Sequence, residues 1–179
     1  AGLTVYCAIV KNLAVQPKEK ILVQGGAGGV GSLAVQLAKL RGAYVATTAG
    51  PAHTDLLKKL GADQVIDYHR TTPSDVLQDF DCVFDTVGDI DGALSVLRSN
   101  GRLITVAAQP TPEQLAATQQ VAFQFTQGTS ANLETLGKLV AEGKVKQPIE
   151  TLPFSAESVT EAQNRVAARH TTGKLVIIL

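Results

Sequence analysis

The run Ile21-Leu-Val-Gln-Gly25-Gly26-Ala-Gly28-Gly29-Val-Gly31 constrains the fold of this chain more than any other stretch. Ile21, Leu22 and Val23 form a short, uniformly apolar segment closed by glycine, the pattern of a parallel strand buried on both faces. The glycines satisfy G-x-G-x-x-G through Gly26, Gly28 and Gly31, and G-x-x-G-x-x-G through Gly25, Gly28 and Gly31. Over 30–40 the apolar residues Val30, Leu33, Ala34, Leu37, Ala38 and Leu40 recur at helical spacing, until Gly42 ends the pattern. Strand, glycine turn and helix in that order let the chain turn sharply and approach a pyrophosphate with no side chain between. They also let the helix pack closely on the strand. The helix N-terminus then offers free N–H groups and a partial positive charge to an anion. A second strand follows within about 30 residues, the context this motif requires. No lysine stands at Walker spacing after the glycines, which excludes a P-loop.

The alternation continues. The spacing predicts a strand over 44–47, a helix over 54–60 stopped by Gly61, and a strand over 64–66. A short helix over 74–78, a strand over 82–84 and a helix over 92–97 come next. Turn residues Ser99, Asn100 and Gly101 then lead to a strand over 103–107. This is the sequence form of an α/β fold, a Rossmann doubly wound parallel sheet with helices on both faces. Residues 3–15 ahead of the glycine loop have helical spacing, ended by Pro17. After Gln109 the rhythm loosens into a helix over 112–119, a one-face-buried strand over 121–126 and a helix over 131–142 closed by Gly143. A strand over 149–152, a helix over 156–169 and a strand over 175–179 complete the chain. Ser158 with Glu161 resembles a capping box that would move the last helix start to Ser158.

Sixteen basic and sixteen acidic side chains balance, and aromatics make up only 4% of the 179 residues. No bulk attraction to nucleic acid or to a membrane surface follows from that balance, and no apolar run approaches the ~18 residues of a membrane span. Cys7 and Cys82 lie in apolar settings and read as buried free thiols in a reducing compartment, the cytoplasm. His53, His69 and His170 are scattered, read most simply as surface residues, and make no metal spacing; no metal is expected. The sequence contains no methionine, so it is expected to be a processed chain or a piece of a longer one.

Dinucleotide preference is read at the end of the second strand. Many NAD sites carry an acid there, whereas this chain has Ala46-Thr-Thr-Ala-Gly-Pro-Ala-His53, and its first acid is Asp55, inside the next helix. A 2′-phosphate meets no carboxylate, so NADPH is preferred to NADH. A methyltransferase also uses a glycine loop, and it too would want an acid at this point. No Tyr-x-x-x-Lys set is present, and no catalytic residue is assigned. Asp85 is expected to order the Gly88 loop by hydrogen bonding. A non-catalytic dinucleotide-binding, sensor or structural module is the alternative to an enzyme domain.

The run Ala1-Gly-Leu-Thr-Val-Tyr-Cys-Ala, the glycine loop, Leu60-Gly-Ala-Asp-Gln-Val-Ile-Asp-Tyr68, Phe84-Asp-Thr-Val-Gly88 and the ending Gly173-Lys-Leu-Val-Ile occur in order. Together they resemble the quinone oxidoreductase branch of the medium-chain dehydrogenase/reductases. The resemblance implies zinc-independent hydride transfer from NADPH to a quinone or conjugated carbonyl. It places Gly28, Gly29 and Val30 at the pyrophosphate, within the Gly25–Gly31 loop. Thr48 and the 50–53 turn with His53 would surround the adenosine 2′ position, with Tyr68 near the adenine ribose. Val87, Gly88 and Ala107 would border the nicotinamide. Phe123 and Phe125 would close over it and supply a dimer edge strand within 121–126; simple sheet-face packing is their alternative. Arg169 matches a position that reaches a 2′-phosphate in some members, or is a solvated helix end. Where NADP-preferring relatives often carry lysine this chain has Ala52, leaving His53 and Arg169 to substitute. The resemblance also implies that an N-terminal catalytic domain is missing. Residues 1–144 would be the dinucleotide-binding domain, and 145–179 a segment that partly returns to that missing domain. Ile149, Leu152 and Phe154 are then expected to be exposed or covered by a neighbouring chain, and this chain alone to bind cofactor without turnover.

Overall fold

Strand and helix alternate as the apolar spacing predicts. In the computed structural model, which describes residues 1–168 and 171–179, helix α1 (Gly2–Tyr6) runs on as a π-helical turn, Cys7–Asn12. The first half then follows as β1 (Lys20–Gln24), α2 (Gly31–Leu40), β2 (Tyr44–Ala49), α3 (Thr54–Lys59), β3 (Gln64–Asp67), α4 (Pro73–Val76) and β4 (Phe80–Asp85). The second half is α5 (Ile90–Val96), β5 (Leu97–Thr105), α6 (Pro112–Leu115), β6 (Gln120–Phe123), α7 (Ser130–Ala141), β7 (Ile149–Pro153), α8 (Ala156–Ala167) and β8 (Lys174–Ile178). The first six strands form one parallel sheet in the order β3-β2-β1-β4-β5-β6. Strand order reverses direction between β1 and β4, so a crevice opens beyond their C-terminal ends.

The pleat sends alternate residues of each strand to opposite faces. Ile21, Val23, Val45 and Phe84 pack with Val5, Ile9, Leu33 and Leu37 of α1, its π turn and α2 on one face. Leu22, Val83 and Leu103 pack with Ile90, Ala93 and Val96 of α5 on the other. Helices therefore cover both faces of a sheet whose central strands are buried, as the uniformly apolar runs predict.

Several boundaries differ from expectation, each for a local reason. Ser99, Asn100 and Gly101 do not form a turn; they lie within β5, where a register shift opposite Phe80 and Cys82 absorbs them. Strand β6 ends at Phe123 rather than reaching Thr126. Gln124 turns inward, accepting from Asn12 Nδ2 at 2.7 Å and donating to the Thr4 carbonyl at 2.9 Å. Helix α8 starts at Ala156, because Ser155 Oγ accepts the Ser158 N–H at 3.1 Å and caps it; Ser158 is already in the first turn.

Strands β7 and β8 make a separate two-stranded parallel sheet joined through α8. It attaches to the glycine loop: Gly173 N–H donates to the Ala27 carbonyl at 2.8 Å, and Gly28 bridges to Gly173. Ile149 is 57% exposed and Phe154 66% exposed, as expected of that segment, whereas Leu152 is half-buried. Among the described residues no helix is long and apolar enough to cross a membrane.

Candidate functional site

The glycine loop connects β1 to α2, and its glycines divide by what they serve. Gly25 has φ +76°, a conformation that L side chains resist. Its N–H donates to Thr48 Oγ1 at 2.9 Å. A Cβ on Gly31 would strike the Gly25 carbonyl and the Gly26 Cα, so α2 packs backbone to backbone against the turn. A Cβ on Gly26 would strike Thr47 Oγ1, and one on Gly29 would lie 2.5 Å from Lys174 Cε. Gly28 is different: a Cβ there meets nothing nearer than the Gly25 carbonyl at 3.6 Å, and its φ is not positive. Packing and backbone conformation leave room for a side chain at Gly28, and a ligand approaching the backbone would use that room. Beside it, α2 has Val30 as its N-cap and no side-chain cap, and of its first amides the Ser32 N–H donates to the Gly28 carbonyl at 3.0 Å.

Across the crevice the ends of β4 and β5 are tied together by Asp85, which is fully buried. Asp85 Oδ1 accepts from Val87 N and Gly88 N at 2.9 Å each, and Oδ2 accepts from Thr105 Oγ1 at 2.6 Å. The expectation that Asp85 orders the Gly88 loop holds. Thr105 Oγ1 in turn accepts from Ala107 N at 3.3 Å. A Cβ on Gly25 would meet Val87 Cγ1 at 2.8 Å, and one on Gly88 would meet Ala108 Cβ at 3.4 Å. Three loops, 25–31, 86–88 and 106–108, thus meet at the reversal in strand order. Val87 is 51% exposed at their rim.

The end of β2 forms the other wall. Thr48 is buried and holds the glycine turn through Gly25. His53 Nε2 lies 2.8 Å from Thr172 Oγ1, while its buried Nδ1 has no hydrogen-bond partner among the described residues. Tyr68 packs its ring on His69, centroids 4.1 Å apart, beside Gly50. His69 is exposed, as the sequence reading has it, whereas Lys174 escapes that reading because it is distant in sequence from the loop its stem crosses. Phe123 ends β6 half-buried, and Phe125 lies beyond it, 85% exposed. Arg169 lies outside the described residues.

Comparison with known proteins fits this arrangement. The model of the zinc-binding dehydrogenase family matches residues 60–177, more than half of the chain. The chain belongs to the zinc-binding dehydrogenase family. The chain resembles the 2-methylene-furan-3-one reductase of Solanum lycopersicum, 38% identical over 165 residues, which cover 89% of this chain and 40% of the relative. The NADPH-dependent alkenal/one oxidoreductase, chloroplastic, of Arabidopsis thaliana is 36% identical over 163 residues, with the same two coverages of 89% and 40%. The structure of the quinone oxidoreductase from Coxiella burnetii superposes with a TM-score of 0.90 at 31% identity, over 99% of this chain and 58% of that one. The resemblance to quinone oxidoreductases read from the sequence therefore holds. The chain spans about 40% of the length of these two curated relatives.

Among the described residues no three His, Cys, Asp or Glu side chains are placed to hold a metal. Cys82 belongs instead to a structural cluster at the opposite end of the sheet, beside Arg102 Nη2 at 2.8 Å. Burial is the main cause that pushes its thiol up to about 12, which keeps it protonated and unreactive. Arg102 also contacts both Glu19 oxygens at 2.7 Å, joining β5 to the start of β1.

Proposed function

We infer that this chain is the NADPH-binding part of a zinc-independent oxidoreductase that transfers hydride to a quinone or a conjugated carbonyl. The observation that carries the reading is Gly28, left open by the protein beside an uncapped helix N-terminus at the reversal in strand order. A pyrophosphate would use that room, with the partial positive charge at the N-terminus of α2 and the Lys174 ammonium attracting it. A bound reduced nicotinamide supplies the hydride. Asp85 serves by fixing Val87, Gly88 and, through Thr105, Ala107, which together orient the reacting ring. Tyr68 and His53 border the adenosine end, and Phe123 and Phe125 border the nicotinamide end. The names of the tomato and Arabidopsis relatives, an enone reductase and an NADPH-dependent alkenal/one oxidoreductase, support both the substrate class and the cofactor.

Residues 1–144 act as the dinucleotide domain, and 145–179 return toward a catalytic domain in the remainder of the protein. Exposed Ile149 and Phe154 on the β7 side support that division. The substrate cleft is completed by that second domain, so this chain alone binds cofactor without turnover. The edge of β6 pairs two copies in a dimer. A cytoplasmic, reducing location suits the two free, buried thiols.

Calorimetric titration of this chain with NADPH and then NADH tests the reading. Saturable NADPH binding, tighter than NADH, is the expected result. Tighter NADH binding would overturn the cofactor preference alone, and binding of neither would remove the dinucleotide reading for the chain.

A further inference from the structure

The last residue of β1 carries a polar side chain into the interior at a cost that folding alone does not explain. Gln24 is 2% exposed, and the pleat puts it on the same face as Leu22, the face that α5 covers. Its Nε2 donates to the Asp89 carbonyl and to Asp89 Oδ2, both at 3.3 Å. Its Oε1 is buried with no hydrogen-bond partner among the described residues. Carbonyl and carboxylate oxygens only accept, so Asp89 dictates which end of the amide faces it and strands the amide oxygen. A buried acceptor without a partner destabilises the fold. Asp89 gains little in exchange, because it is exposed and water can serve its oxygens. A polar group kept against stability at a strand end beside a crevice points to function.

Gln24 grips the 86–88 loop at both ends. At its start, the Thr86 hydroxyl donates to the Gln24 carbonyl at 2.7 Å. At its end, Asp89 is the N-cap of α5: Oδ1 accepts the Gly92 N–H at 3.0 Å, while Oδ2 faces Gln24. The next residue along β1, Gly25, opens the glycine loop, and a Cβ there would lie 2.7 Å from Thr86 Oγ1 and 2.8 Å from Val87 Cγ1. One strand end therefore begins the loop read as the pyrophosphate site and holds the loop read as the nicotinamide border. Asp85 also holds the second loop, but through N–H groups two and three residues away, which fixes the loop's shape. The contacts of Gln24 span 62 and 65 residues and fix where that loop stands relative to the glycines.

We propose that Gln24 is a positioning residue that sets the 86–88 loop against the glycine loop, and so secures the ring end of the dinucleotide and not its adenosine end. The proposal rests on the dinucleotide reading. A dinucleotide bridges the two loops, with its pyrophosphate at one and its ring at the other, so their separation must match a fixed length of ligand. Releasing the 86–88 loop removes ring contacts and leaves the phosphate and adenosine contacts in place. The glycine turn keeps its own anchor, the Gly25 N–H donating to Thr48 Oγ1 at 2.9 Å. Orientation of the reacting ring is where small displacements weigh most on hydride transfer.

The test is calorimetric titration of this chain with NADPH and with 2′-phospho-ADP-ribose, the same molecule without its nicotinamide ring. The proteins are the wild type, Gln24→Met and Thr86→Val. The readout is the ratio of the two affinities, in which everything held through the adenosine and the phosphates cancels. The wild type is expected to bind NADPH the more tightly. Each variant is expected to lose about fivefold of that ratio, while its affinity for the ring-free ligand stays within about twofold of wild type. Equal weakening of both ligands would show a general structural role and overturn the proposal. So would a ratio that the variants leave unchanged, or a wild type that binds both ligands equally. If neither ligand binds the wild type, the dinucleotide reading fails first and the positioning role with it. Gln24→Met removes the stranded oxygen at similar volume, so its thermal melt is expected to match that of the wild type. If it does not fold, Thr86→Val, at a half-buried site, decides alone.

Discussion

At the scale of single residues, the glycine loop separates demands made by the protein from demands made by a ligand. Gly28→Ala places its Cβ at ordinary contact distance from the Gly25 carbonyl. Its stability is expected to stay within about 1 kcal/mol of wild type, while dinucleotide affinity drops by about tenfold or more. Gly31→Ala drives its Cβ into the backbone of Gly25 and Gly26, and a loss of more than about 2 kcal/mol is expected. Thermal melts and calorimetric titration of the pair distinguish these outcomes; equal effects on stability would refute the division. Asp85→Ala strands the N–H groups of Val87 and Gly88 and the Thr105 hydroxyl. A cost of about 2–4 kcal/mol in urea unfolding is expected, since buried donors left without an acceptor carry their full desolvation penalty. Glycine spacing and the Asp85 loop were legible in the sequence because both act locally. The role of Lys174 was not, because it depends on a loop far away in the chain.

At the scale of elements, side-chain hydrogen bonds override alternation. Apolar and polar residues alternate over 121–126, yet Gln124 is buried and Phe125 exposed, because the amide is satisfied from Asn12 and Thr4. The same pairing ties β6 to the first helix, and Gln124→Ala is expected to cost about 1–2 kcal/mol. At the opposite end of the sheet, burial pushes the Glu19 carboxyl up, but Arg102 and the Gln16 N–H outweigh it and hold it below its usual range. Because the folded carboxyl is the stronger acid, its stabilisation is present above the ordinary carboxylate range. It is lost as pH falls through the lowered folded value. Urea unfolding of Glu19→Gln is expected to show a deficit of about 1–2 kcal/mol at pH 7 that shrinks toward pH 3. An undiminished deficit at pH 3 would show that the effect is packing and not charge.

At the scale of the whole molecule, the second sheet carries apolar side chains outward while it grips the glycine loop through Gly173. Exposed apolar surface of this kind marks an interaction face. The chain on its own is expected to bind a hydrophobic dye and to self-associate in sedimentation. On the proposed two-domain reading, the same segment joined to its catalytic domain is expected to do neither at that face. Dye binding that is equal in both would place the exposed surface elsewhere. Native Cys82 is expected to resist thiol reagents at pH 8 and to react on unfolding, since it is fully buried.

The alternation of strands and helices, the glycine turn and the doubly wound sheet were determined by the sequence alone. Each rests on a periodicity or a steric need that operates over a few residues. Tertiary structure alone decided where β5 and β6 begin and end, which glycine is left open for a ligand, and that His53 meets Thr172. Those outcomes depend on contacts between residues far apart in the chain, such as His53 with Thr172, and no local spacing encodes which distant partner satisfies a buried polar atom.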